Sequence, residues 1–193
     1  MRRKSEMRKA AFAARKLAHA ADLDRAANRN LQNAIDYFPG SRVVAGYMPI
    51  QTEVSPLPTM NNLYSTGTTV VVPVIVGEGQ ALRWAEWAPH EDMVEGAFKA
   101  LIPARPNYLT PDLIIAPLVA FDGQGGRLGY GGGFYDRSLE LLRATKPTPA
   151  IGFAYSAQEL ADLPLETTDQ PLDMIVTETN VTRFPLDGSL GSG

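Results

Sequence analysis

Residues 112–137 read DLIIAPLVAFDGQGGRLGYGGGFYDR, and this stretch decides the fold. Residues 112–121 form the most apolar segment of the chain and predict a buried central strand, whose ladder Pro117 is expected to end. A helix is predicted from Phe134 to Ala144, because leucines at 139, 141 and 142 give it one apolar face. A buried strand, a glycine-rich loop and a helix in succession indicate an α/β domain.

The loop between this strand and this helix is rich in glycine, with glycines at positions 125, 126, 129, 131, 132 and 133. So many glycines indicate positive φ angles or a close approach of the backbone to a ligand. Backbone amides exposed between a strand and a helix N-terminus bind anions, and phosphate above all. A flexible surface turn is the alternative, but it does not explain the interleaved Arg127, Tyr130 and Asp136. We therefore interpret the loop as a phosphate site.

This loop matches neither of the two best-known phosphate motifs. Phe134 stands where the dinucleotide fingerprint that begins at Gly129 needs a glycine. No Gly-Lys-Ser or Gly-Lys-Thr follows, so the loop is not a Walker motif.

The rest of the chain alternates helical and extended patterns. Helices are predicted at 5–20, from an N-cap at Asp22 to Tyr37, and at 56–64, with a helical turn at 156–160. Further strands are predicted at 42–47, 69–76, 82–87, 149–155 and 174–177, and 88–111 is expected to be a long irregular connection. The fold class that follows is α/β, with a mostly parallel, mixed sheet flanked by helices in a three-layer α/β/α single domain. We assign residues 1–187 to this domain and 188–193 to a flexible C-terminal tail.

Composition excludes several other functions. A net charge of −3 over 193 residues gives no support for nucleic-acid binding. The absence of cysteine excludes disulfides, thiolate metal sites and a cysteine nucleophile, and two histidines far apart disfavour a zinc site. No apolar run reaches membrane-spanning length. We expect a cytoplasmic protein without a nucleic-acid or membrane partner, either a monomer or a weak dimer.

Three segments together resemble the 5-formyltetrahydrofolate cyclo-ligases, also called methenyltetrahydrofolate synthetases. They are PLVAFD at 117–122, GRLGYGGGFYDR at 126–137 and LPLETTD at 163–169. The resemblance implies conversion of 5-formyltetrahydrofolate into 5,10-methenyltetrahydrofolate with ATP and Mg²⁺. In that reaction the formyl oxygen attacks the γ-phosphate to give an iminium phosphate, N10 closes the ring, and phosphate leaves. Such chemistry demands mainly positioning and charge neutralisation.

The resemblance also implies where ATP and Mg²⁺ bind. Lys4 and Arg8, four residues apart and so on one helix face, match basic residues that reach ATP phosphates; a solvated basic face is the alternative. Asp136 and Asp169 match the magnesium ligands, although Asp169 on its own would be read as a cap or turn residue. The ATP loop comprises Arg127, Leu128, Gly129, Tyr130, Gly131, Gly132, Gly133, Phe134 and Tyr135, of which Arg127, Tyr130 and Tyr135 are predicted to be catalytic.

The folate side is implied by fewer residues. Glu53 matches a glutamate that contacts the pterin, and its carboxylate suits a 2-amino-4-oxo ring edge. Met48 and Tyr130 are predicted to line the same pocket, with core packing as the alternative for Met48. Phe98 is predicted to stack on the pterin.

The chain departs from the family pattern in two places. Residues 98–103 lack a glutamate that many relatives carry, and Thr168 precedes Asp169 where relatives have histidine. The altered 98–103 segment leaves open a related ATP-dependent ligase or kinase that acts on another pterin or small heterocycle. A non-catalytic folate- or nucleotide-binding module is a third reading, which two matched aspartates disfavour because a binder gains little from a magnesium site.

Overall fold

A computed structural model of the chain describes residues 2–164 and 166–184, without the side chains of residues 2 and 3. The predicted tail at 188–193 and the predicted domain end at 187 lie outside the described residues. Four helices are described: α1 Arg2–Ala20, α2 Asp24–Ile35, α3 Leu57–Ser65 and α4 Phe134–Arg143. The strands are β1 Val43–Ala45, β2 Thr69–Val74, β3 Arg83–Trp87, β4 Met93–Glu95, β5 Leu101–Pro103, β6 Leu113–Pro117, β7 Ala120–Phe121, β8 Arg127–Leu128, β9 Ala150–Phe153, β10 Met174–Val176 and β11 Val181–Arg183.

Seven of these strands form one sheet in the order β11-β10-β9-β6-β1-β2-β3. The five inner strands pair in parallel, whereas the two edge strands, β3 and β11, pair antiparallel to their neighbours. Two short antiparallel ribbons, β4–β5 and β7–β8, lie outside this sheet. The prediction of a mostly parallel, mixed sheet is confirmed.

Alternate residues of the inner strands face two separate cores, as the period of two in a strand requires. One core contains Val44 and Ile115 with Leu31 of α2 and Leu63 of α3. The other contains the intervening strand residues, such as Ile114, together with residues of α4. Helices therefore cover both faces of the sheet, and the three-layer α/β/α arrangement is confirmed.

Helix α1 packs against a third, smaller cluster that lies next to the β7–β8 ribbon. In this cluster Ala11 is buried against Val119, Ala120 and Leu128. No helix among the described residues combines the length and the apolar character needed to cross a membrane.

The structure corrects two local predictions and confirms a third. Asp22 has φ of 54° and does not cap α2; the helix begins at Asp24, whose carboxylate accepts hydrogen bonds from the Ser55 amide (3.2 Å) and the Tyr155 hydroxyl (2.5 Å). The connection at 88–111 contains the β4–β5 hairpin. As predicted, the ladder of the strand within 112–121 ends at Pro117, which has no amide to continue it, and residues 120 and 121 turn away to pair with β8.

The position of the predicted site follows from the sheet. Strands β1 and β6 are parallel neighbours, so the segments after their carboxyl ends, 46–53 and 118–137, emerge at the same edge. Ligands of open α/β sheets bind at this edge. The chain therefore brings Glu53 and the glycine loop together although nearly 80 residues separate them in sequence.

Candidate active site

The glycine loop runs from the end of β8 into α4 and adopts conformations that favour glycine. Gly131 has φ of 103° and Gly133, the residue that precedes α4, has φ of 64°. The N-cap residue of α4 is Gly133, which has no side chain to cap the amides of the first turn. A loop of this shape, with open amides at a helix N-terminus, can receive an anion.

The basic face of α1 lies against this loop. Arg8 donates from Nε to the Gly129 carbonyl at 2.9 Å, and its guanidinium also lies beside Gly131. Lys4 Nζ is 2.7 Å from Glu166 Oε1 and 3.9 Å from Asp169 Oδ2. The two basic residues thus bridge the glycine loop and the segment that carries Asp169, as one helix face would place them.

Arg127 contacts Asp136, one of the two predicted magnesium ligands. Its side chain is buried and donates through Nη1 to the Gln170 carbonyl and through Nη2 to Asp136 Oδ1. The Gln170 amide donates to the same Asp136 oxygen at 3.0 Å. Burial lowers the pKa of Arg127, and the carboxylates of Asp136 and Asp169 oppose that shift. Both terminal nitrogens of Arg127 are engaged by the protein, so its predicted contact with phosphate stays a prediction.

The two aspartates suit a hard cation. Asp136 Oδ1 and Asp169 Oδ2 accept hydrogen bonds from the protein, whereas the second oxygen of each carboxylate accepts none from the described residues. Both side chains are about a quarter exposed. Within residues 2–164 and 166–184 no group of three or more His, Cys, Asp or Glu side chains could hold a metal ion. Two carboxylates completed by phosphate and water oxygens are what Mg²⁺ accepts, so the residues present fit it.

Glu53 is buried beside the glycine loop. Its Oε2 accepts the Ile50 amide at 2.9 Å, and its Oε1 accepts the Tyr130 hydroxyl at 3.0 Å. Burial raises the pKa of Glu53, although the Ile50 amide, Tyr130 and Arg15 all act to lower it. Burial and the Glu53 carboxylate also raise the pKa of Tyr130, to about 12. Tyr130 therefore joins the glycine loop directly to Glu53, the carboxylate that is predicted to bind the pterin.

Arg15 is a functional candidate that the sequence reasoning missed. Its Nη1 donates to the Tyr130 hydroxyl at 2.8 Å and lies 3.9 Å from Glu53 Oε1. A signal for it was present, because Arg15 lies seven residues, or two helical turns, after Arg8 and so shares the basic face of α1.

The remaining predicted residues differ in their surroundings. The Tyr135 hydroxyl is buried without a hydrogen-bond partner among the described residues, its ring meets Trp84 edge-on at 6.0 Å, and burial raises its pKa. Phe98 is 71 % exposed in the β4–β5 hairpin, and its ring centroid is 6.5 Å from that of Phe134. Met48 is partly buried and packs against the core under α2 and α3, as core packing would place it.

Two hollows at the surface do not coincide with these residues. One of about 330 Å³ lies between β3 and α4, and another of about 160 Å³ lies beside β10 and β11. Neither is lined by a predicted site residue. Within the predicted site, the Tyr130 hydroxyl is hydrogen-bonded between Arg15 and Glu53.

Fold and site together define a class: α/β proteins in which a glycine loop, a basic helix face and two acidic side chains meet at one edge of a mostly parallel sheet. The model of the 5-formyltetrahydrofolate cyclo-ligase family matches residues 1–178. The chain belongs to this family.

Individual relatives agree with this assignment. The 5-formyltetrahydrofolate cyclo-ligase of Escherichia coli K12 is 34 % identical over 148 residues, which cover 73 % of this chain and 80 % of that protein. The cyclo-ligase of Haemophilus influenzae is 33 % identical over 140 residues, covering 69 % and 74 %. The structure is similar to that of 5,10-methenyltetrahydrofolate synthetase from Aquifex aeolicus, with a TM-score of 0.78, 32 % identity, and coverage of 98 % of this chain and 96 % of that one.

Proposed function

We propose that this chain converts 5-formyltetrahydrofolate and ATP into 5,10-methenyltetrahydrofolate, ADP and phosphate. Family membership over residues 1–178 supports the reaction. The observation that carries the assignment of the site is the hydrogen bond from Tyr130 to Glu53, at 3.0 Å. It joins the loop proposed to hold the triphosphate to the carboxylate proposed to hold the pterin, so the two substrates would meet at that point.

On the nucleotide side, the chain would bind and orient the triphosphate. The amides of residues 129–133 and the first turn of α4 would donate to phosphate oxygens, and Lys4 and Arg8 would neutralise their charge. Mg²⁺ held by Asp136 and Asp169 would supply further neutralisation of the phosphate oxygens. Arg127 would keep Asp136 in place through the ion pair described above.

On the folate side, the chain would hold the formyl group in line with the γ-phosphate. The formyl oxygen forms a bond to phosphorus as the bond from the γ-phosphorus to the bridging oxygen of ADP breaks. N10 then attacks the activated carbon, loses its proton, and expels phosphate as the carbon–oxygen bond breaks. Glu53 would fix the pterin, while Tyr130 and Tyr135 would lie between nucleotide and folate and limit the entry of water.

We further propose that the protein acts in the cytoplasm with ATP and reduced folate as its partners. A monomer or weak dimer, with no nucleic-acid or membrane partner, is consistent with its net charge of −3.

The reaction is tested by following the absorbance of the methenyl product. The chain is expected to form product from 5-formyltetrahydrofolate when ATP and Mg²⁺ are both present and to form none when ATP is omitted. A well-folded preparation that gives no product, or gives product without ATP, would contradict the proposal. Turnover of another pterin in preference to the formyl folate would favour the related ligase or kinase instead.

Replacing Arg8 with glutamine is expected to raise the KM for ATP by about 10- to 100-fold, because a charge-assisted contact to phosphate is lost. The KM for the folate should change by less than about threefold. Lys9→Gln is the matched control, since Lys9 is the exposed neighbour of Arg8 on the same helix and its loss removes the same charge. Equal effects of the two substitutions would mean that Arg8 acts only through the general charge of α1.

A further inference from the structure

Arg15 is a buried cation with an unused hydrogen-bond donor. Its side chain is 1 % exposed, and Nη2 has no partner among the described residues. A buried charged group with an unpaired hydrogen-bond donor lowers the free energy of unfolding of a protein. Such a donor beside a proposed substrate site indicates that the substrate supplies the missing acceptor.

The other contacts of Arg15 hold its guanidinium in one orientation. Nε donates to Thr52 Oγ1 at 3.0 Å, and Nη1 donates to the Tyr130 hydroxyl at 2.8 Å. The guanidinium carbon also lies 5.0 Å from the centre of the Phe12 ring. Glu53 Oε1 is 3.9 Å from Nη1, so the Arg15 cation lies directly beside the carboxylate that is proposed to bind the pterin.

We propose that Arg15 and Glu53 together recognise the 2-amino-4-oxo edge of the pterin, with Arg15 donating to the 4-oxo oxygen. This inference rests on the proposed function. That edge presents two donors, the 2-amino group and N3–H, followed by one acceptor, the 4-oxo oxygen. Glu53 offers two acceptor oxygens and Arg15 offers one donor, so the pair is complementary to the edge in order and in number. Arg15 is therefore a specificity-determining residue for 4-oxo pterins.

The Tyr130 hydroxyl lies between the two side chains that this edge would contact. It accepts from Arg15 Nη1, whereas the 4-oxo oxygen would accept from Nη2, and it donates to Glu53 Oε1, as N3–H would do. Pterin binding requires the hydroxyl to leave this position. The glycines on either side of Tyr130 and the 44 % exposure of its side chain permit that movement.

The test compares the affinity of 5-formyltetrahydrofolate with that of its 4-amino analogue, by titration without ATP at a mildly alkaline pH that keeps the analogue uncharged. The uncharged analogue presents a donor to Arg15 in place of the 4-oxo acceptor, and it presents an acceptor to Glu53 in place of N3–H. Wild-type protein is expected to prefer the 4-oxo compound by about 10- to 100-fold. In Arg15→Met the preference should fall at least about threefold below that of the wild type, because only the loss of N3–H opposite Glu53 still distinguishes the two compounds, while the KM for ATP stays within about twofold. Lys16→Gln, which removes the exposed neighbouring cation, should keep the wild-type preference.

Each outcome decides the proposal. A wild-type protein that binds both compounds equally overturns it, and so does an Arg15→Met protein that keeps the full preference. If Arg15→Met does not fold, Arg15→Lys keeps the charge but lacks the two terminal nitrogens of the guanidinium group. It is then expected to show a reduced preference for the 4-oxo compound. If neither variant folds, the wild-type comparison alone decides. Methenyl formation by the wild type distinguishes failure of the Arg15 proposal from failure of the proposed function. If the wild type forms product but binds both compounds equally, the role of Arg15 is contradicted and the proposed reaction is retained.

Discussion

Replacing Asp136 with asparagine is expected to lower kcat/KM for methenyl formation by about 100- to 1,000-fold while leaving folate affinity nearly unchanged. The carboxylate has two tasks in the proposed site. One oxygen anchors Arg127 and the Gln170 amide, and the other is open to a cation. Asparagine can keep an oxygen for the anchor but removes the charge that a magnesium ion needs. Activity should recover in part when Mg²⁺ is raised, as expected for a weakened metal ligand.

Two variants separate this explanation from loss of fold. Glu140→Gln removes one charge from an exposed position on the same helix and should leave kcat/KM unchanged. Asp169→Asn removes the second proposed ligand without breaking the ion pair between Arg127 and Asp136, and it should also depend on raised Mg²⁺. Folate binding, measured by titration, should persist in both aspartate variants. A folded Asp136→Asn protein with wild-type kcat/KM at ordinary Mg²⁺ would show that Asp136 is not a metal ligand.

The part of the fold that was predictable is the part that local sequence determines. The inner strands β1, β2, β6, β9 and β10 are short apolar runs, and burial on both faces of a parallel sheet produces such runs. Strands β4, β5, β8 and β11 escaped prediction; each has two or three residues and pairs antiparallel outside the buried inner strands. Short strands without that burial are defined by the partner they meet in three dimensions, which a periodic pattern cannot reveal.

The candidate site shows the same division between local and tertiary information. The glycine loop, Lys4 and Arg8 were predicted from short segments, and the structure brings them together. The error at Asp22 came from reading a good capping residue without its neighbours. The carboxylate of Asp24 is held by Ser55 and Tyr155, and those contacts belong to the tertiary structure.

Arg15 was missed because its importance depends on burial. In sequence it is one of several basic residues on α1, most of which are solvated. Only the packing of α1 against Tyr130 and Thr52 makes it a buried cation. The helical spacing from Arg8 could have placed it on the correct face, but spacing does not distinguish a buried arginine from an exposed one.

Glu53 carries the clearest electrostatic consequence of this packing. A carboxylate surrounded by protein is held in a charged form that burial disfavours, and its pKa is therefore raised. The Ile50 amide and the Arg15 cation limit that rise. Because the proposed pterin contact needs the ionised form, folate affinity should be complete above the raised pKa and should fall as the pH falls through it. The acidic limb of folate binding is thus expected above the ordinary range of a glutamate.

Replacing Glu53 with glutamine is expected to raise the KM for 5-formyltetrahydrofolate about 100-fold or more and to remove the acidic limb of folate binding. The amide has one acceptor oxygen where the pterin edge offers two donors, and its nitrogen places a donor against a donor. The KM for ATP should stay within about twofold, since Glu53 contacts the proposed phosphate loop through the Tyr130 hydroxyl, which pterin binding is proposed to displace. Glu78→Gln, in the exposed turn after β2, is the matched control and should leave both constants and the pH profile unchanged. A Glu53→Gln protein that is folded by thermal unfolding yet keeps a wild-type folate KM would place the pterin elsewhere, and with it the meeting point of the two substrates.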